Sequence, residues 1–164
     1  MKVNKWFWMA LLGLCTINMA YALAPLSSKM EAYQIVRDKD GKESRVPAQT
    51  VAPGGVVEYQ LTYMNQSKDE IKGLKVTGPI PKGAVYVADS AKAVYGTTVE
   101  ASLDKGASWQ KVPVMREALG ADGKKKMVAV PVQEYQQIRW VGAQNLAVDK
   151  SQVYTYRVKI LPLK

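Results

Sequence analysis

The sequence contains no histidine, and its only cysteine is Cys15. Most protein zinc sites use these two residue types as ligands, and Ser-His-Asp and Cys-His catalytic groups need one or both of them. Their absence excludes such zinc sites and both kinds of nucleophilic catalysis. Asp, Glu, Lys, Arg, Tyr, Ser and Thr are the residue types left for chemistry, and we expect no catalytic residue, no cofactor and no metal ion.

The first 22 residues have the three parts of a secretory signal peptide. Lys2 and Lys5 form a short basic start, the apolar run WFWMALLGLC follows, and the small-x-small motif AYA ends at Ala22. The apolar run is shorter than the roughly 20 residues that a transmembrane helix needs. We therefore expect cleavage after Ala22, export to the periplasm, the cell surface or the medium, and no transmembrane segment in the mature chain. Because Cys15 lies in the signal, the mature chain cannot form an internal disulfide.

The mature chain is basic. Without Lys2 and Lys5, 21 Lys and Arg remain against 14 Asp and Glu, a side-chain sum of +7. A basic exported protein tends to associate with anionic envelope polymers or lipid headgroups. The basic residues are scattered, without the stripe or aromatic platform typical of nucleic-acid binding, so we expect no nucleic-acid partner. The one cluster is Lys124-Lys125-Lys126, which is either a solvated loop tip or an anionic contact.

Alternation with period two marks two strands clearly. In Val56 to Met64 the odd-numbered positions from Val57 are apolar or aromatic, and from Tyr154 to Ile160 the even-numbered positions are. Such alternation indicates one buried and one solvated face. Shorter strands are predicted at residues 30–37, 43–51, 71–77, 84–88, 94–103, 109–114, 127–131 and 133–141. Many short strands separated by turn signals predict an all-β sandwich.

Several other segments are predicted from local composition. We expect residues 23–29 to be loosely tied, the strand at residues 30–37 to be an edge strand, and residues 115–123 to hold at most one helical turn. Pro47 indicates an edge position or a bulge. Pro79 and Pro81 cannot donate backbone hydrogen bonds, so residues 78–83 are expected to form a crossover or turn.

Two short motifs fit known sites only by spacing. Ser102 and Lys105 match the Ser-x-x-Lys pattern of acyl enzymes, but they fall at the end of a predicted strand and its turn, where that chemistry has no helix to align the two groups. The run from Asp38 to Gly41 resembles part of a calcium loop but lacks the loop's further acidic ligands. A hairpin turn explains that run better.

The run from Val51 to Ser90 carries a family resemblance. It contains Pro53-Gly54, a strand with Tyr59 that ends at Asn65, a second strand, and then Pro81-x-Gly83. This pattern resembles the bacterial conserved repeat domain family, domain of unknown function eleven, and the similarity extends over residues 43–161. Gly78 stands where the family often has Asp, and Asp149-Lys150-Ser151 stands where it often has a second Pro-Gly.

The resemblance implies an Ig-like Greek-key β-sandwich in an exported protein with a structural, adhesive or assembly role. The expected organisation is a signal peptide at residues 1–22, an N-terminal extension with an edge strand at 23–42, and the Ig-like sandwich at 43–164. We predict a non-enzymatic structural or protein-interaction module of the bacterial cell envelope, with another envelope protein as its partner. The alternative is a periplasmic module that binds an anionic ligand or envelope polymer through Lys124, Lys125 and Lys126.

Overall fold

The computed structural model describes residues 25–93, 96–121, 123–142 and 144–162, and their regular structure is β-strand apart from one short 3-10 helix. The prediction of an all-β chain is confirmed. The segment predicted to be a signal peptide, residues 1–22, lies outside the described residues. The strands are β1 Leu26–Arg37, β2 Glu43–Pro47, β3 Val56–Asn65, β4 Val76–Pro79, β5 Ala84–Tyr86, β6 Lys92–Ala93, β7 Thr98–Ser102, β8 Gln110–Lys111, β9 Met115–Leu119, β10 Lys125–Ala129, β11 Gln137–Val141 and β12 Ser151–Ile160, and the 3-10 helix is Val132–Glu134.

These strands form two antiparallel sheets and a separate hairpin. The larger sheet has the order β2-β1-β3-β12, with β5 and β6 both paired to the far side of β12. The smaller sheet has the order β4-β11-β7-β8, and β9 pairs only with β10. Neighbours such as β3 and β12 are far apart in sequence, so the chain crosses repeatedly between the two sheets.

The two central strands of the larger sheet supply most of its buried face. The register sets Tyr59 opposite Tyr156 and Leu61 opposite Tyr154, and the rings of Tyr59 and Tyr156 stack with centroids 5.2 Å apart. Trp140 of β11, fully buried, meets Tyr154 and Tyr156 at centroid distances of 5.5 and 5.9 Å. The two sheets therefore share one aromatic core, and the alternation predicted for β3 and β12 places the expected side chains in it.

A glycine allows the smaller sheet to approach this core closely. A Cβ atom at Gly78 in β4 would lie 2.7 Å from Cε1 of Tyr156, closer than two carbon atoms can pack. The hydroxyl of Tyr156 donates a hydrogen bond to the carbonyl of Pro79 on the same strand. The position that departs from the family pattern is thus the position at which β4 crosses the ring of Tyr156.

Asn65 joins the end of β3 to the segment between β11 and β12. Its buried side-chain amide donates to the carbonyl of Asp69 at 2.8 Å and to that of Leu146 at 2.9 Å. Its Oδ1 accepts the N–H of Ser67 at 2.9 Å. Asn side chains commonly form such hydrogen bonds with neighbouring backbone groups. Asn65 therefore bonds its own loop, and the bond to Leu146 adds a contact between residues far apart in sequence.

The N-terminal prediction is wrong in two respects. β1 begins at Leu26 and pairs with β3 from Leu26 to Ile35, so residues 26–29 are not loosely tied. β1 also lies between β2 and β3 and is not an edge strand. The edge is β2, which ends at Pro47, as expected for a proline that cannot donate to a ladder.

Other boundaries also differ from expectation. β4 is Val76–Pro79, so Pro79 belongs to a strand; this is tolerated because β4 is an edge. Residues 115–119 form β9 in place of a helical turn, β10 starts at Lys125, and a 3-10 helix precedes a shorter β11. The strand predicted at residues 94–103 is β7, Thr98–Ser102; residues 94–95 lie outside the described residues.

Candidate functional site

The two motifs that matched catalytic or metal sites by spacing are both turns. Asp38 accepts the N–H groups of Asp40 and Lys42 at 3.0 and 2.9 Å and so closes the β1–β2 hairpin. In the described parts of the chain, no three His, Cys, Asp or Glu side chains lie close enough together to hold a metal ion. The carboxylate of Asp38 therefore has a structural role in the hairpin turn.

Ser102 also belongs to a turn. It is 1% exposed, and its Oγ donates to Oδ1 of Asp104 at 2.7 Å and accepts the N–H of Gly106 at 2.7 Å. Asp104 further accepts the backbone N–H and the hydroxyl of Ser108. These bonds, those from Ser108 first, lower the pKa of Asp104 to about 2. Lys105 lies in the turn itself with φ of 58°, so Ser102 and Lys105 are not aligned on a helix as Ser-Lys catalysis requires.

A row of alternating charges crosses the outer face of the larger sheet. Glu43 accepts hydrogen bonds from Arg37 and Arg157 at 2.7 and 2.8 Å. Glu58 accepts from Arg157 and Arg45 at 2.8 and 3.0 Å. We call these five residues the charged ladder, and they come from β1, β2, β3 and β12. Each carboxylate lies between two guanidinium groups, so the ladder ties four strands together.

The hydrogen bonds of the charged ladder shift the pKa values of two of its members, Glu43 and Arg157. The hydrogen bond from Arg37, followed by that from Arg157, lowers the pKa of Glu43. Hydrogen bonding to Glu58 is the main cause that raises the pKa of Arg157. Glu58 is only 8% exposed, although the alternation of β3 predicts that it lies on the solvated face. It is on that face but covered by its arginine partners. Three guanidinium groups and two carboxylates give the ladder a net charge of +1, and each carboxylate is paired on both sides.

The larger sheet extends past the smaller one and leaves an apolar strip uncovered. The register sets Met30 opposite Leu61, so Met30 faces the same side of the sheet as the core. Val36 and Val46 face that side as well, yet Met30, Val36 and Val46 are 46%, 39% and 41% exposed. We call these three residues the β1–β2 shelf.

The shelf is uncovered because of how the two sheets are offset. β4 is one edge of the smaller sheet and crosses Tyr156 of β12. At the other edge, Lys111 of β8 and Thr98 of β7 line a cleft with Tyr86 of β5. The smaller sheet therefore lies over β12, β5 and β6, and no strand of it lies over β1 and β2.

Two adjoining grooves meet at the loop of residues 81–84. One has a volume of about 450 Å³ and the other about 460 Å³. The first is lined by Pro79, Ile80, Pro81, Lys82, Gly83, Ala84, Lys105, Tyr135, Gln136 and Gln137, and the second by Val51, Pro53, Tyr59, Pro81, Lys82, Gly83, Ala84, Ile160, Leu161 and Pro162. The linings contain no carboxylate. Their chemistry suits contact with an apolar or extended partner segment more than bond cleavage.

The structure separates the three lysines predicted as an anionic contact. Lys124 lies in the turn between β9 and β10, whereas Lys125 and Lys126 are the first two residues of β10. Because successive strand residues point to opposite faces, the side chains of Lys125 and Lys126 diverge. Lys125 pairs with Glu117 at 3.0 Å. The exposed loop tip expected from the sequence is thus shorter than predicted, and the cluster is spread around the end of a hairpin.

Sequence reasoning missed the charged ladder and the shelf. The alternation of β3 and β12 identified which residues share a face, but Glu58 and Arg157 come together only through the register of those two strands. Neither does the sequence reveal the uncovered side of β1. The sequence signal that could have suggested the charged ladder is an acidic residue on the polar face of one strand and a basic residue on the polar face of the strand that pairs with it.

Comparison with known proteins gives no relative for this chain. No family model matches it, no curated protein matches it, and no solved structure matches it. Within the described residues, none of the secondary structure is a helix with the length and apolar character needed to cross a membrane. The fold and the surface are therefore the basis for assigning a function.

Proposed function

We propose that this chain is an exported, non-enzymatic structural or protein-interaction module of the bacterial cell envelope, and that its partner is another envelope protein. The observation that carries the proposal is the β1–β2 shelf, an apolar strip on the core-facing side of the larger sheet that no strand among the described residues covers. Apolar side chains at the edge of a core are typical of a surface completed by a partner.

The shape of the shelf favours an extended partner segment. The edge strand of the smaller sheet on the side of the shelf is β4, which crosses Tyr156 of β12. A partner strand placed there would lie over β1, cover Met30 and Val46, and extend the smaller sheet past β4. Recognition by strand addition takes affinity from backbone hydrogen bonds and specificity from alternate side chains. β2 is less suited as the pairing edge, because it carries the charged residues Glu43 and Arg45.

We further propose that the two sheets form an Ig-like Greek-key β-sandwich of the conserved repeat domain type. The antiparallel sheets with a shared core and neighbours distant in sequence support this reading. So do the roles of two pattern residues: Tyr59 stacks on Tyr156 at the core, and Asn65 organises its loop. Export is supported by the signal-peptide pattern, with cleavage expected after Ala22.

Site-specific photo-crosslinking in living cells tests the interaction. A photoreactive amino acid is placed at Met30 or at Val46, and the matched control is Lys29, the exposed neighbour of Met30 that faces the other side of β1. We expect both shelf positions to yield the same discrete adduct with an envelope protein and Lys29 to yield none. Equal adducts at Lys29, or no adduct at either shelf position, would overturn the proposed interface.

Export has its own test. The mass of the protein recovered from the periplasm or medium should correspond to a chain that begins at Leu23. Recovery of the intact chain from the cytoplasm alone would contradict export and leave the crosslinking result to be judged separately.

A second candidate function is the binding of an anionic ligand or envelope polymer through Lys124, Lys125 and Lys126. It is favoured by the position of these lysines on a hairpin that belongs to neither sheet. Retention on anionic envelope material should fall with salt, because exposed charges are screened beyond about 8 Å at physiological ionic strength. Substitution of all three lysines by Gln should abolish it. Retention that is indifferent to salt and to these substitutions would exclude this candidate.

A further inference from the structure

The β9–β10 hairpin carries the two most exposed large apolar side chains of the described residues, Leu119 and Met127, together with Met115. Leu119, Met127 and Met115 are 74%, 57% and 39% exposed. The hairpin pairs with neither sheet, and a two-stranded hairpin without a packed face has little stability of its own in water. An exposed apolar patch of this kind marks a contact surface more often than a neutral one.

The three apolar side chains share one face. The register sets Met115 opposite Ala129, Glu117 opposite Met127 and Leu119 opposite Lys125. Directly opposite residues in an antiparallel pair point to the same side, so all odd-numbered residues of the hairpin lie on one face. We call Met115, Leu119 and Met127 the hairpin patch.

The other face of the hairpin is fixed to the body. Ala118 and Val128, at even-numbered positions, are partly buried. Arg116 donates two hydrogen bonds to the carboxylate of Glu134, at 2.7 and 2.9 Å. A bidentate Arg–carboxylate pair adds geometric definition as well as energy. The hairpin is thus held with its apolar patch directed away from the protein.

Basic residues surround the outer end of this patch. Lys125 lies beside Leu119 on the patch face, Lys126 lies on the opposite face, and Lys124 lies in the turn; all three are exposed. The acidic residue on the patch face of the strands is Glu117, which pairs with Lys125. The surface therefore combines apolar side chains with a rim of positive charge.

We propose that the β9–β10 hairpin docks on an anionic lipid bilayer, with the hairpin patch in the boundary between headgroups and acyl chains and the lysines against lipid phosphates. This inference rests on the second candidate function and names its ligand. An anionic polymer would satisfy the lysines but would give Leu119 and Met127 no apolar phase to enter. A bilayer surface satisfies both, since interfacial binding sums buried apolar area and attraction to anionic lipid.

The hairpin would lie at the interface and not enter the hydrocarbon core. Both of its outer edges carry backbone N–H and C=O groups that no neighbouring strand pairs among the described residues. Unpaired backbone groups in hydrocarbon cost several kcal/mol each, so open sheet edges do not occur there. The headgroup region supplies water and phosphate to pair with them.

Vesicle co-sedimentation tests the proposal with the purified full chain as the cell exports it. Vesicles of phosphatidylcholine are compared with vesicles that also contain phosphatidylglycerol. We expect binding only to the anionic vesicles, with loss as salt rises. Replacing Lys125 and Lys126 by Gln should weaken binding about 25-fold, since each lysine near an anionic surface contributes about 1 kcal/mol, or roughly fivefold.

A second set of variants, which removes apolar side chains, distinguishes binding to a lipid bilayer from binding to a polymer. L119S combined with M127S should weaken vesicle binding by at least about tenfold, because the apolar area that enters the interface is lost. M30S combined with V46S is the control: it also replaces two exposed apolar side chains by Ser, on the β1–β2 shelf, and should leave vesicle binding unchanged. All variants carry the same N-terminus, so any effect of that segment cancels.

Each result of the vesicle assay either supports or overturns a stated part of the lipid proposal. Vesicle binding that depends on the lysines but not on Leu119 and Met127 would overturn insertion of the patch, as would binding that falls equally in the shelf control. Absence of binding to anionic vesicles would overturn the lipid assignment. If the protein then bound a soluble anionic polymer such as dextran sulfate through the same lysines, the second candidate function would stand without the lipid. Far-UV circular dichroism of each variant establishes that it is folded.

Discussion

β12 and the β9–β10 hairpin each present large apolar side chains on one face, and the two faces differ in burial. In β12 the even-numbered residues Tyr154 and Tyr156 are buried at 1% and 0% exposure. In the hairpin the odd-numbered Leu119 and Met127 are 74% and 57% exposed. The hairpin's partly buried face instead carries Ala118 and Val128, small residues held near the body by Arg116.

The difference lies in the second layer. The apolar face of β12 meets Trp140 of the smaller sheet, so about 25 cal/mol per Å² of apolar surface removed from water stabilises the fold there. The apolar face of the hairpin meets no second sheet. Period-two alternation therefore defines a face, and a face stabilises the fold only where another layer covers it.

The sharpest way to test this contrast is to remove the centre of the covered layer. Trp140→Ala should destabilise the protein by about 3–5 kcal/mol, because it leaves a large cavity between Tyr154 and Tyr156. Urea denaturation monitored by circular dichroism measures the loss. Trp109→Ala is the control, since Trp109 is only half-buried beside Arg139. An equal loss in both variants would mean that the core is not centred on Trp140.

The close approach of the two layers is tested at Gly78. Gly78→Ala should cost about 1–3 kcal/mol, as overpacking does, because its Cβ would lie 2.7 Å from the Tyr156 ring. Thr77→Ala, on the exposed face of the same strand, should change stability by less than about 0.5 kcal/mol. The measurement is again the urea midpoint at constant slope. A neutral Gly78→Ala would show that β4 can move away from β12 at no cost.

A smaller effect is expected from the polar turn at Asp104. Its pKa is lowered from 3.8 to about 2 by bonds to Ser108 and Ser102. A carboxylate whose pKa is lower in the folded than in the unfolded state stabilises the fold above its unfolded pKa, and this stabilisation is lost as the pH falls through the folded value. Stability should therefore fall between about pH 4 and pH 2 more steeply in the wild type than in Asp104→Asn. The control is Asp40→Asn in the other hairpin turn. A variant with the wild-type slope would contradict the assignment.

The smallest effect is expected at the uncovered face. Leu119→Ser and Met127→Ser should each change the free energy of unfolding by no more than about 0.5 kcal/mol, as surface substitutions usually do. Chemical denaturation in the absence of lipid is the measurement. A loss comparable to that of Trp140→Ala would mean that the hairpin patch is packed in solution and would remove the contrast with β12.

Part of the core could be predicted from the sequence alone. The alternation in β3 and β12 indicates Leu61, Tyr154 and Tyr156 as core residues, and all three are buried. The position of β1 could not be predicted, because pairing partners depend on contacts far apart in sequence. The charged ladder could not be predicted for the same reason. In the sequence Glu58 and Arg157 look like solvated residues, and only the register of β3 and β12 places them side by side.

The sequence by itself determined the absence of histidine from the chain and of cysteine from residues 23–164, the signal-peptide pattern, the all-β class and the faces of the clearest strands. These follow from composition and from the two-residue period of a strand, which are local properties. The tertiary structure decided which faces are covered: it set Gly78 against Tyr156, left Met30 and Val46 open, and directed Leu119 and Met127 to solvent. Coverage depends on how far one sheet extends over the other, and that offset is a property of the whole fold and not of any single strand.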